Sequence, residues 1–165
     1  MKHPVGTTRN GKTVYANLIG SSAGKLIAQQ PYLLGLIRES LRLSNVTGPV
    51  ARVERDMGKA IGYNYVVETT DKDTILYACL THDDVYTRFV KNGKPLSTQY
   101  LTMELRRDPD NDGYELHDAW LGRAYPPRPG SPDETSESKI FWANHAFVLD
   151  NQTIQSRTVT KTCPY

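Results

Sequence analysis

Between Tyr100 and Arg106 every second residue is polar or aromatic with chemistry to offer: Tyr100, Thr102, Glu104 and Arg106. In an extended strand, alternate side chains share a face. Leu101, Met103 and Leu105 then take the other face. Beyond an acidic turn, either Glu115 and His117 or Tyr114 and Asp118 are the cross-strand neighbours of this row, because a one-residue change of register exchanges the two faces. Upstream lie Tyr86, Arg88, Lys91 and Lys94. A sheet bearing Glu, His, Arg and Lys has what metal-free RNA cleavage requires. A base takes the proton of the ribose 2′-OH, an acid protonates the leaving oxygen, and a cation stabilises the phosphorane.

Each residue also has a plainer reading. An antiparallel sheet covered on one side leaves its other face in water, and alternating polar residues suit that alone. His117 then reads as a solvent-facing strand histidine. His145, between Trp142 and Phe147, reads either as a hydrogen-bonded core histidine or as a second acid–base group. Arg88, Lys91 and Lys94 read as phosphate contacts or as a solvated edge, and His82 as a turn residue. Strand tyrosines such as Tyr86 and Tyr100 can stack bases, although strand propensity alone explains tyrosine there.

Other chemistries find less support. Gly20-Ser-Ser-Ala-Gly24-Lys25 has one residue too few between its glycines for a phosphate loop and no Ser/Thr after the lysine. It reads as a helix start capped by Ser21 or Ser22. Asp108-Pro-Asp110-Asn-Asp112-Gly113 opens like a calcium loop, but the twelfth position, where a bidentate Glu belongs, is Ala119. It reads as an acidic hairpin turn. His3, His82, His117 and His145 share no metal-ligand spacing, so neither a metal nor another cofactor is expected. Cys79 and Cys163 have no zinc or redox spacing and suit a reducing compartment.

The elements that must position these residues follow from pattern. The 165 residues suffice for one domain. Residues 1–60 carry nine Lys/Arg and three Asp/Glu, against eleven and fifteen in residues 61–165, so only the first part offers a basic face for a polyanion. A short strand is expected near Thr13–Tyr15. Helices are expected from Leu18 to Ile27, after Pro31, and over Val50–Met57. Strands follow at Ile61–Thr69, Thr74–Leu80 (apolar on both faces, hence central), Asp84–Val90, Thr98–Arg107 and Tyr114–Leu121. Asn92-Gly93 reads as a hairpin turn. Ser131-Pro132-Asp133-Glu134 has the form of a capping box. It predicts a helix near 132–144, with strands at Ala146–Leu149 and Thr153–Thr162 after it. The expected fold is one α+β domain over 1–165, with N-terminal helices packed on a mainly antiparallel five- or six-stranded sheet. No apolar run spans a membrane, and the opening MKHPVGTTRNGK has no apolar leader core, which points to the cytoplasm.

The stretches DVYTRFVKNGKP (84–95), QYLTMELRR (99–107), LHDAWLG (116–122) and ESKIFWANHA (137–146), with the final KTCPY, resemble a group of uncharacterised bacterial proteins of similar length. The helices-then-strands layout resembles the barnase–EndoU–colicin–RelE class of metal-free endoribonucleases, which includes bacterial toxin domains. That resemblance implies His117 as acid or base, with Glu104 as its counterpart. It also implies Arg88 and Lys91 as phosphate binders, and Tyr100 or Thr102 orienting the ribose. RNA and a cognate inhibitor protein would be the partners. The rival expectation is a non-enzymatic binding protein, such as an immunity or anti-defence factor, that acts through a charged surface. The two differ in geometry: the ribonuclease needs His117 and Arg88 in one cleft.

Overall fold

In a computed structural model describing residues 1–81 and 83–165, short strands dominate. In chain order they and the helices are β1 (Lys2–Thr7), β2 (Thr13–Asn17), α1 (Ser22–Gln29), α2 (Leu33–Arg42), β3 (Val50–Asp56), β4 (Gly62–Asn64), β5 (Val66–Glu68), β6 (Ile75–Cys79), β7 (Tyr86–Val90), β8 (Leu96–Thr98), β9 (Tyr100–Arg107), β10 (Gly113–Leu121), α3 (Ser138–Trp142) and β11 (His145–Val148). Two compact units result. One comprises Met1–Gly62 and Thr98–Ala124; the other comprises Tyr63–Ser97 and Tyr125–Tyr165.

The first unit holds a five-stranded sheet in the order β1-β2-β10-β9-β3. All its pairings are antiparallel except β2 with β10. Leu101, Met103 and Leu105 of β9 are fully buried, as the alternation requires. They share one core with Val14 and Ala16 of β2, Leu116, Ala119 and Leu121 of β10, and Ala23, Leu33, Ile37 and Leu41 of the helices. The start of α1 is built from the glycine-serine run. Ser21 caps the helix by accepting from the Gly24 amide at 2.9 Å. A Cβ on Gly24 would lie 2.7 Å from the Asn17 and Leu18 carbonyl oxygens, so the helix closes on the preceding loop only through glycine.

The second unit holds a four-stranded sheet in the order β5-β11-β7-β6. Val67, Val90 and Ala146 form its aliphatic core. Trp142, 1% exposed, stacks on Phe147 with ring centroids 5.2 Å apart and donates its indole N–H to the Pro126 carbonyl at 3.1 Å. The crossing segments β4 and β8 pair with each other as a two-stranded ribbon.

This architecture corrects the expected fold class. Among the described residues, strands account for 37% and helix for 16%, the strands fall into three sheets, and the strands β1 and β2 precede the first helix. The helix expected over Val50–Met57 is strand β3. Ala51 and Val53 pack on the core at a spacing of two, and seven residues pair with β9. Tertiary pairing of β-branched residues outweighs a three-position helical hint. The run Ile61–Thr69 divides into β4 and β5, in different sheets. Thr74–Leu80 contains an edge strand rather than a central one, since β6 has β7 alone as its sheet neighbour. Asn92 does adopt the left-handed conformation, with φ of 61°, yet β7 and β8 do not pair as a hairpin. The late helix is only Ser138–Trp142. The Ser131 hydroxyl, buried, makes no hydrogen bond, and the Ser138 hydroxyl instead accepts from the Thr135 amide at 3.0 Å. Thr153–Thr162 forms two isolated bridges and a short 3-10 turn in place of a strand. Among the described residues, no helix is long and apolar enough to cross a membrane.

Candidate functional site

The register of β9 against β10 decides which polar residues meet. Arg106 pairs with Glu115, and Leu105 with Leu116, but Glu104 pairs with Asp118. His117 is the extra residue of a β-bulge. Leu116 and Ala119 both reach the core, so the two residues between them, His117 and Asp118, both belong to the outer side of the strand. The bulge therefore combines the two registers left open by the sequence, Glu115 from one and Asp118 from the other. On the opposite side of β9, β3 contributes Arg52 across from Glu104, Glu54 across from Thr102, and Asp56 across from Tyr100. One row thus reads Arg52–Glu104–Asp118, and the next Glu54–Thr102–Trp120.

Ion pairs and cation–π contacts organise this face. The Arg52 guanidinium donates to Glu104 Oε1 at 2.6 Å and lies 6.0 Å from the centroid of the Trp120 ring. Arg123 pairs with Glu54 at 3.0 Å and sits 4.6 Å over the Tyr100 ring. Burial alone would raise the Glu54 carboxyl. The Ala124 amide, donating at 2.7 Å, and Arg123 outweigh it and hold Glu54 below the ordinary carboxylate value. Asp118 behaves oppositely. Desolvation raises its pKa, the neighbouring Glu104 charge adds to the rise, and hydrogen bonds from the Ala119 amide and the Ser22 hydroxyl only partly offset both.

Tyr100, Thr102, Glu104, Arg106 and His117 belong to the first unit; Tyr86, Arg88, Lys91 and His145 belong to the second. Within the first, the structure brings Glu104 and His117 to the same bulge. Thr102 is fully buried, and its hydroxyl donates to the Gly122 carbonyl at 2.8 Å, so it is spent on structure. Arg106 and His117 are exposed. In the second unit, Arg88 donates to the Thr69 hydroxyl at 2.8 Å and to the His145 carbonyl at 3.0 Å, tying β7 to β11 and to the residue that follows β5. The His145 ring stacks on Phe141 at 3.9 Å, and its Nδ1 meets both the Phe141 carbonyl and Asn144 Oδ1. Nδ1 must carry the proton to satisfy two oxygen acceptors, so His145 works as a cap on the end of α3. Lys91 is exposed beyond β7, and Tyr86 is half-buried at its start. His82 lies outside the described residues.

Sequence reasoning missed Arg52, Glu54, Trp120 and Arg123. The alternation Arg52, Glu54, Asp56 was the available signal, hidden by reading that stretch as helical. The acidic turn is held from within the chain. The Lys2 ammonium lies 3.2 Å from Asp108, 3.2 Å from Asp110 and 3.1 Å from Glu115. Its bond to Glu115 is the largest influence raising its pKa. A cavity of about 180 Å³ beside this turn is lined by Lys12, Arg107, Asp108, Asn111, Asp112 and Tyr114, among others. No protein-family model matches the chain, and neither does any curated protein or solved structure.

Proposed function

We propose that the protein is a non-enzymatic binding protein whose outer face on β3, β9 and β10 takes a basic segment of a partner protein. The observation carrying this reading is the cross-strand arrangement around Glu104. On the face of Glu104 these strands place five carboxylates, Glu54, Asp56, Glu104, Glu115 and Asp118, beside Arg52 and Arg106. Arg55 and Arg107 pair opposite the core residues Leu101 and Tyr114, and Arg123 and Lys2 engage Glu54 and Glu115 from outside the strands, so the carboxylates still exceed the cations by one. Burial and the neighbouring Glu104 charge both raise the Asp118 pKa, and an incoming ammonium or guanidinium would offset the repulsion from Glu104 and favour the ionised form. Trp120, Tyr100 and Arg52 are residue types that anchor protein interfaces. The same excess of negative charge disfavours RNA, and Arg88, the phosphate contact implied by the ribonuclease resemblance, is engaged within the second unit.

Fluorescence anisotropy with two labelled probes tests this. A dodeca-arginine peptide should bind the wild-type protein with salt-dependent affinity, and the E104Q/D118N double variant should bind it at least tenfold more weakly. A twelve-nucleotide single-stranded RNA should bind far less well than the peptide. Total RNA incubated in excess EDTA should stay intact. Cleavage of that RNA, lost in H117A, would replace this reading with the metal-free ribonuclease. Peptide affinity unchanged in E104Q/D118N would remove the face from consideration.

A further inference from the structure

The edge of β6 is paired, but not by a strand. Residues 153–160 run beside it and take up its outward main-chain groups in turn. The Thr81 amide donates to the Thr153 carbonyl at 2.8 Å, and the Gln155 amide to the Cys79 carbonyl at 2.8 Å. The Cys79 amide donates to the Thr158 hydroxyl at 2.8 Å. Tyr77 exchanges both of its main-chain bonds with Thr160, at 2.8 and 2.9 Å. The Gln155 amide side chain reaches the Leu80 and Asp83 carbonyls as well. Yet no residue of 151–165 is buried. The segment is fastened by hydrogen bonds at the surface and by an edge-on contact of the Tyr165 ring with Tyr77 at 5.8 Å, and it contributes no fully buried side chain, the pattern of a low-stability, locally opening segment. Beneath it lies Ile75–Cys79, ILYAC, which has no charge and no proline. An uncharged, β-prone strand of this kind pairs readily with another chain when its edge is bare.

We propose that the β6 edge is an interaction surface for β6 of a second copy of this protein, kept covered by residues 153–160. The geometry selects a twofold arrangement. Tyr77 points both its amide and its carbonyl outward, as the Thr160 bonds require. An antiparallel partner centred on Tyr77 would restore both bonds with its own Tyr77. Ile75 would then lie opposite Cys79, and no charge would oppose another. Such pairing is isologous and closes as a dimer.

Two full-length variants loosen the cover. Thr160→Pro removes the amide that donates to Tyr77, and Thr158→Val removes the oxygen bonded to the Cys79 amide while keeping the side-chain shape. Hydrogen exchange should show the Tyr77 and Cys79 amides exchanging at least tenfold faster at low protein concentration. Sedimentation velocity should show a monomer converting to a dimer as concentration rises, with exchange at Tyr77 slowing again in the dimer. Adding Tyr77→Lys should restore the monomer, because two ammonium groups would then face each other. Thr158→Val serves alone if circular dichroism finds the proline variant unfolded. The inference fails if neither amide gains exchange, if the opened variants stay monomeric at every concentration, or if the dimer survives Tyr77→Lys.

Discussion

The pair Arg52–Glu104 offers a quantitative test of how the outer face is held. At a separation of about 4 Å between charge centres, the Coulomb attraction is roughly 1 to 4 kcal/mol, depending on whether the surroundings behave like water or like a protein surface. The side chains are 39% and 24% exposed, so water screens the pair. Ordering two side chains opposes it further, leaving a net coupling of about 0.5–1 kcal/mol. A double-mutant cycle of Arg52→Ala, Glu104→Ala and the combination isolates that coupling from the contact of Arg52 with Trp120. Urea titrations at neutral pH and low salt would measure it. Glu104→Ala alone should cost less than the coupling, because it also removes like charge from Asp118. Raising the salt should shrink the coupling. A value above about 2 kcal/mol would mean a desolvated structural pair, unsuited to exchanging partners. A value indistinguishable from zero would mean that the contact does not persist. Either result refutes the picture of a formed but exchangeable ion pair.

Deleting His117 should leave the fold intact, since Leu116 and Ala119 keep their core positions and Asp118 stays opposite Glu104, whereas deleting Leu105 from β9 should unfold the first unit; circular dichroism and chemical-shift dispersion distinguish the two. Gly113→Ala should destabilise the β2–β10 pairing by about 2–5 kcal/mol, because φ is +145° and the new Cβ would lie 2.1 Å from the Thr13 carbonyl oxygen; an unchanged urea midpoint would contradict this. Asp118 binds its proton more tightly folded than unfolded, so stability should fall as pH rises from the ordinary aspartate value through the raised one. Asp118→Asn should remove that slope in urea titrations across the acidic range, and identical pH profiles would show that Asp118 is not the source.

Much of the core was legible because strict alternation has a single physical meaning. Leu101, Met103 and Leu105 could only share one face, and α2 was readable from its apolar spacing; α1 starts at Ser22 behind the Ser21 cap, so Leu18 and Ile19, counted into its spacing, lie before it. The outer face was half legible. Its β9 row followed from the same alternation, but a bulge at His117 leaves no trace in local pattern, so the partners across β10 came from both registers. Strand β3 was misread because Val50, Val53 and Met57 fit helical spacing, and only its pairing with β9 decides otherwise. The central position assigned to β6 failed for a related reason. An apolar strand signals that its edges must be covered, without saying whether a strand or an irregular segment covers them. Arg88 and His145 look chemically capable in sequence; the hydrogen bond of Arg88 to Thr69 is a tertiary fact, and that of His145 to Phe141, four residues back, depends on where α3 ends.

The return of the chain to its first sheet after residue 97 constrains the order of events during synthesis. Strand β9 sits between β3 and β10, yet it leaves the ribosome more than forty residues after β3. Until then β3 has no neighbour, and the β1–β2 hairpin has neither β10 beside it nor the β9 leucines beneath its helices. Closing that separation carries an entropic cost before any contact offsets it. The helices α1 and α2 would meanwhile hold an apolar surface with only half its counterpart in place, which makes the interval before β9 and β10 emerge the point at which the nascent chain most needs protection from other chains.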